Sequence, residues 1–355
     1  MPSRRAMPAG AAPSTGRLLA LLTALALVPV LALTACGAPH HTARSATTTA
    51  AARPKPASTS PARTPSAARL PPTDPLTGRP GQPRPVVAVK VDNVYVGSRD
   101  GLNQADVVYV EEVEGGLTRL LAVFSSQTPA RVGPVRSARE SDLQLLAEYG
   151  KVALAFSGAN TGVLASVAKA NVRDDSFDKT PGFYQLDRTR PSPYQFLVDV
   201  GQLVRQAPGV VARDVGFRFG AAPVTVRPAP AVRSATVHYP GSSISVHAAG
   251  AGWQIFRDGA ALTLREGGVA SADNVLIQYV QLAGTKYVDH NGNGTPVTVT
   301  VGTGKAVLLR AGHLYNGTWT RRAASLPTTW TAAGGGPLRL AAGRTWVLLV
   351  PTGVP

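Results

Sequence analysis

Cysteine is nearly missing from this 355-residue sequence: Cys36 stands alone, which excludes an intramolecular disulfide and any multi-cysteine zinc site. Acidic residues are absent before Asp74, although eight of the Lys and Arg residues lie there, so half of the formal charge of +16 belongs to the start of the chain. The balance beyond it is 28 basic against 20 acidic residues, a moderate excess scattered along the sequence. Without basic clusters interleaved with aromatics, nucleic acid is not expected as a partner, and an anionic envelope surface fits the charge better. Histidine is missing between His41 and His238, so a Ser-His-Asp triad would have to borrow its base from the second half of the chain. Ser157 reads Phe156-Ser157-Gly158, without the G-x-S-x-G of a nucleophile elbow. His238, His247, His290 and His313 lack the i, i+4 spacing of a metal pair, and Gly302-Thr303-Gly304-Lys305 lacks the glycine spacing of a phosphate loop. No metal and no cofactor is expected.

What is present begins with an address. Arg4, Arg5 and Arg17 precede an apolar run from Leu18 to Ala35, the order of a secretory signal. Leu33-Thr34-Ala35-Cys36 then matches a bacterial lipobox, in which small residues precede the cut and the thiol receives a diacylglyceryl group. Two acyl chains hold a protein stably at a bilayer where one gives marginal binding. Residues 1–36 are therefore expected to be a lipoprotein signal peptide, Cys36 the lipidation site, and the outer face of the cytoplasmic membrane the location. The competing reading is an uncut membrane-spanning helix, against which Pro29 and the match at Cys36 count. Residues 37–72, rich in Ala, Pro, Ser and Thr, bury too little to offset the entropy of ordering and read as a disordered tether, with a reach on the order of 100 Å if extended.

From Asp74 the composition turns globular. Val86–Val91, Asp106–Val113 and Thr118–Ser125 read as strands, the last two joined by a glycine turn at Glu114–Leu117. Alternation sends Glu111 and Glu112 to opposite faces. A helix is predicted over Ser137–Tyr149, then a buried strand, a Gly-rich turn after Ser157, a small-residue helix to about Ala170 and a helix over Ser192–Gln206. Residues 74–220 are thus an α/β domain. Residues 235–352 alternate in short runs with Gly or Asn at the turns, a mainly β domain. Asp289–Gly294 follows part of a calcium-loop pattern but has Thr300 where the bidentate Glu belongs, so an Asn-Gly turn is the favoured reading.

Several segments are similar to one family. Pro75–Gly78, Val91–Asn93, Gln104–Tyr109, Glu114–Arg119 and Gly133–Arg139, followed by Ala272–Val275, Gly302–Ala306 and Gly317–Trp319, resemble the YerB-like lipoproteins. The resemblance implies an exported two-domain lipoprotein with a domain of unassigned function. It departs at Pro193-Tyr194-Gln195, where the family tends to have Pro-His-Asn; if that histidine were a catalytic base, this chain lacks it.

Asp92, Glu111, Glu114, Arg119, Arg136 and Arg139 fall at strand ends and turns, with Ser157 placed for an anion at a helix start. They can form a cleft for a polar, partly charged ligand, or a structural ion-pair network tying the hairpin to the helix. Trp253, Trp319, Trp330 and Trp346 can stack on sugars if exposed or fill the core if buried. The expected function is non-catalytic binding of peptidoglycan or another envelope polymer. The alternatives are a carboxylate-dependent hydrolase or lyase acting on peptidoglycan and a scaffold for envelope protein machinery.

Overall fold

Runs of Val, Leu and Ala between glycine and proline turns supply the framework. In the first half they form β1 (Val87–Asp92), β2 (Val107–Glu112), β3 (Thr118–Phe124), β4 (Val152–Ala155), β5 (Val172–Asp174), β6 (Tyr184–Leu186) and β7 (Phe196–Val198). Three short helices accompany them: α1 (Glu140–Leu146), α2 (Thr161–Val167) and α3 (Val200–Arg205). The second half is β8 (Ser234–Tyr239), β9 (Ser242–Ala249), β10 (Gly252–Arg257), β11 (Ala260–Ala261), β12 (Ser271–Ala272) and β13 (Asn274–Ala283). It ends with β14 (Val297–Val299), β15 (Gly302–Arg310), β16 (His313–Arg321), β17 (Thr329–Ala332) and β18 (Thr345–Pro351). The computed structural model describes residues 72–206, 211–223, 229–284, 287–288 and 292–353. The signal segment with Cys36, residues 37–71 of the tether, and Asp289–Asn291 of the candidate calcium turn lie outside the described residues.

A mixed-sheet first half and a mainly β second half with few helices match the class read from the sequence. The two halves share one sheet. Its order is β17-β16-β15-β13-β18-β2-β3-β1-β4-β5, with β14 paired to β13. The last strand, β18, runs parallel to both neighbours, Thr345 opposite Asn274 of β13 and opposite Val107 of β2. All seven residues of β18 are buried, as a central strand covered on both faces requires. On one face Val89, Val91, Val108, Val110, Leu120, Trp346 and Leu348 pack against the second sheet, β8 to β12, and against α3. On the other, Tyr109, Leu121, Val123, Val347 and Leu349 pack against α1 and α2.

Two helical expectations need correcting. Ser192–Gln206 is no single helix: Phe196–Val198 pairs with β6, and Asp199 accepts the Gln202 amide at 3.0 Å, starting α3 only at Val200. The helix expected over Ser137–Tyr149 is regular only from Glu140 to Leu146, because Arg136–Ala138 stays extended and bonds to β1 and to the turn after β4.

The turn between β2 and β3 shows why its glycines are needed. Gly116 has φ of 68°, and a Cβ there would lie 2.6 Å from the Gly241 amide nitrogen at the β8–β9 turn. Gly116→Ala is therefore expected to destabilise the protein by about 2 kcal/mol or more, measured as a lowered denaturation midpoint.

Candidate anion-binding site

Strand register assembles the charged residues. Asp92 is opposite Arg119 across β1 and β3, and Glu111 is opposite Arg119 across β2 and β3, so all three project from one face at the same end of the sheet. Lys90, two residues before Asp92, shares that face. Residues 134–138 then run alongside β1: Pro134 accepts the Asp92 amide at 2.8 Å, and Arg136 gives its amide to the Lys90 carbonyl at 2.9 Å. This lays Arg136 and Arg139 over the charged end.

Two arrangements result. The deeper one is an ion triad in which Lys90 binds both Glu111 and Asp142, the latter at 2.8 Å, and all three side chains are sealed from solvent. Asp142 also accepts the Arg139 amide at 2.7 Å, so the triad holds the start of α1. Burial, together with the charge of Asp142, pushes Glu111 up to about 7. Glu111 thus lies beneath the candidate site as part of its floor, not on an accessible wall.

Above it sits a cluster of three arginines. Arg136 pairs with Asp92 at 2.8 Å and Arg139 with Glu114 at 2.7 Å. The remaining oxygens of these carboxylates are engaged: Asp92 Oδ1 accepts the Val94 amide at 2.7 Å, and Glu114 Oε1 the Thr295 hydroxyl at 2.6 Å. Burial works against the Glu114 charge, but the Arg139 hydrogen bond and charge outweigh it and hold Glu114 below its ordinary value. Arg119 is left over. It is 8% exposed and 3.7 Å from Asp92, and its Nε and Nη1 are buried without a hydrogen-bond partner, as is Nε of Arg139. Burial, then the charges of Arg139 and Arg136, lowers Arg119 to about 10. Buried donors without acceptors are costly, at about 1–3 kcal/mol each; across the strand from Arg119, Oε2 of Glu111 is likewise buried without a hydrogen-bond partner.

Arg136 also lies over the ring of Tyr194, 5.2 Å from its centroid, and Tyr194 stacks on Tyr95 at 4.7 Å. Arg190, paired with Asp100, sits beyond Tyr95. Position 194, singled out from the sequence as a departure from the family's histidine, therefore touches the arginine cluster.

Ser157 is engaged within the fold. Its hydroxyl donates to the Val135 carbonyl at 2.9 Å and its amide to that of Arg136 at 3.0 Å, while α2 begins at Thr161 under an Asn160 cap. Ser157 fixes the arginine-bearing segment. The open cleft expected around these residues is instead a nearly closed cluster, because the arginine and carboxylate arms fold over one another. Open clefts lie elsewhere on the molecule. One of about 1240 Å³ opens where β13 parts from β15 beyond Gln278, lined by Tyr279, Gly302–Lys305 and Trp319. All four tryptophans are buried core residues. Among the described residues no three His, Cys, Asp or Glu side chains gather as a metal site, and no helix is long and apolar enough to cross a membrane.

A second buried carboxylate permits a test of the electrostatics. Glu148 accepts hydrogen bonds from Thr328 Oγ1 and Tyr109, and burial pushes it up to about 7. A raised folded-state value means that the native protein binds the proton more tightly than the unfolded chain does. Its stability contribution is full below about pH 4.5 and is lost as pH rises through about 7. Glu148→Gln is expected to remove about 3 kcal/mol of that pH dependence between pH 4.5 and 8, read from urea midpoints at several pH values.

An α/β half and a β half sharing one sheet, with an arginine-rich cluster at a strand end, define the class. Models for the N-terminal and C-terminal domains of a protein family of unknown function, DUF3048, match residues 76–212 and 233–347, together well over half of the chain. The chain belongs to this family. Over 71 residues it is 45% identical to YerB of Bacillus subtilis (strain 168), a protein whose name provisionally calls it a lipoprotein. That stretch spans 19% of this chain and 22% of the relative's length. The crystal structure of YerB from Bacillus subtilis superposes with a TM-score of 0.65 at 21% identity, covering 78% of this chain and 96% of the other. This establishes a shared fold.

Proposed function

We propose that this is a lipid-anchored protein of the bacterial envelope that holds an anionic envelope component at Arg119, Arg136 and Arg139 without altering it covalently. One observation carries the binding site: Arg119, nine-tenths buried, keeps Nε and Nη1 without a hydrogen bond, while Asp92, 3.7 Å from that Nε, and Glu114 bond other partners. The same geometry disfavours carboxylate-driven hydrolysis, since Glu111 and Asp142 are both held by Lys90 and Glu114 is held by Arg139 and Thr295. The lipobox at Cys36 and the name of the Bacillus relative support the anchored address.

Incubating the full chain with peptidoglycan fragments that keep their attached anionic polymers, scoring retention and released products together, tests the reading. Retention without cleavage is expected, weakened about tenfold or more in Arg119→Gln, since charge-assisted hydrogen bonds contribute about 1.5–3 kcal/mol. Released fragments would convert the assignment to a hydrolase or lyase; absence of retention would remove peptidoglycan as the component. The anchor is tested separately by Cys36→Ala, which should move the protein from the membrane to the soluble fraction. Unchanged membrane association would show that the lipid is not the attachment.

A further inference from the structure

We propose that the group taken by the arginine cluster is a phosphoryl group, as a phosphate ester, rather than a carboxylate, and that Tyr194 is a positioning residue that holds Arg136 for it. The assignment rests on the reading of this cluster as a binding site. Three guanidiniums reach it from three separate places: Arg119 from β3, Arg136 from the extended segment beside β1, and Arg139 from the residue before α1. A carboxylate presents two oxygens in one plane, which the fork of a single guanidinium satisfies. The unpaired donors here belong to two arginines, Nε and Nη1 of Arg119 and Nε of Arg139, and a third arginine borders them. A phosphomonoester spreads three free oxygens over a tetrahedron and so meets donors from outside one plane, whereas a carboxylate offers its lone pairs close to its own plane.

Counted over both layers the formal charges balance: Arg119, Arg136, Arg139 and Lys90 stand against Asp92, Glu114, Glu111 and Asp142. A bound phosphoryl group is therefore held by the unpaired donors and their directions, not by a net positive charge. Tyr194 contributes through packing. Its ring lies between Arg136 and Tyr95, so the Arg136 guanidinium is held by an aromatic face on one side and by Asp92 on the other. Thr295, which bonds Glu114, backs the Arg139 arm, and Ser157, which bonds residues 135–136, fixes the backbone that carries Arg136.

Calorimetric titration of the full chain with sn-glycerol 3-phosphate, inorganic phosphate and acetate separates the possibilities. Phosphate compounds are expected to bind at least tenfold more tightly than acetate, a comparison that needs no variant. Arg119→Gln should abolish the phosphate heat, and Arg119→Lys should leave a partial loss because the charge survives without the fork. Tyr194→Ala is expected to weaken glycerol phosphate about fivefold, with Tyr194→Phe restoring it; a Phe variant as weak as Ala would refute the positioning role. Equal or tighter binding of acetate, lost in Arg119→Gln, would overturn the phosphoryl assignment and leave the binding site intact. Binding of neither anion would remove the site itself. A glycerol phosphate oligomer competed against phosphatidylglycerol vesicles then separates a polymer source of the ester from a lipid headgroup, and capture of either through Arg119 supports the assignment.

Discussion

Replacing Lys90 by methionine should destabilise the protein by about 4–5 kcal/mol, a large part of the margin of roughly 5–15 kcal/mol that holds a typical domain folded. The ammonium is sealed from water and is shared by Glu111 and Asp142. Removing it strands two like charges side by side in a dry site, which costs far more than deleting an exposed partner. Because Asp142 also accepts the Arg139 amide, the damage should extend to the start of α1 and thus to the arginine cluster. The loss should shrink as pH falls from above about 7 toward about 4.5, the range in which the folded protein holds a proton on Glu111 that the unfolded chain does not, and Glu111→Gln in the same chain should recover part of it. Urea denaturation of the three variants at two pH values reads these effects. A Lys90→Met variant within 1 kcal/mol of wild type would show that the triad is not the buried charge cluster described.

Ending the chain at Gly343 should prevent stable folding of both halves. The seven lost strand residues of β18 bridge β13 and β2, and Trp346, Val347, Leu348 and Leu349 are each at most 1% exposed. At about 1.5–3 kcal/mol per fully buried large side chain, their removal forfeits roughly 6–12 kcal/mol before counting the two ladders of hydrogen bonds. That is comparable with the whole stability of a domain. By the same argument residues 74–220 expressed alone should lack cooperative unfolding, since β2 would become an unprotected edge. A sharp thermal transition from that fragment would contradict the shared sheet.

Much of this was legible in the residues themselves. The strands around Glu111 and Arg119 announce themselves by alternation and by the two glycines between them, and alternation alone separates Glu111 from Glu112. The sharing of the sheet was not legible, because a buried apolar run such as Thr345–Pro351 carries no mark of its neighbours, and pairing with β2 spans more than two hundred residues. Phe196–Val198 reads as helix because its apolar spacing fits both periods, and Asp199, the cap that starts α3 after it, is the residue that separates strand from helix. Glu111, Glu114 and the arginines lie close together through strand register and ion pairs, but Lys90 and Asp142, which decide how deep Glu111 lies, sit inside an ordinary strand and an ordinary helix start. Tyr194 drew notice as a departure from the family pattern, and its contact with Arg136 could come only from three dimensions.

The central claim is that the unpaired donors of Arg119 await an anion, and the most direct measurement is a crystal structure of the protein grown with selenate, an anomalous scatterer shaped like phosphate. A single anomalous peak within hydrogen-bonding distance of Arg119 Nη1, flanked by Arg136 and Arg139 and absent in Arg119→Gln crystals, is the predicted result. Peaks confined to other surfaces, with Arg119 donating to protein carbonyls or carboxylates, would contradict it.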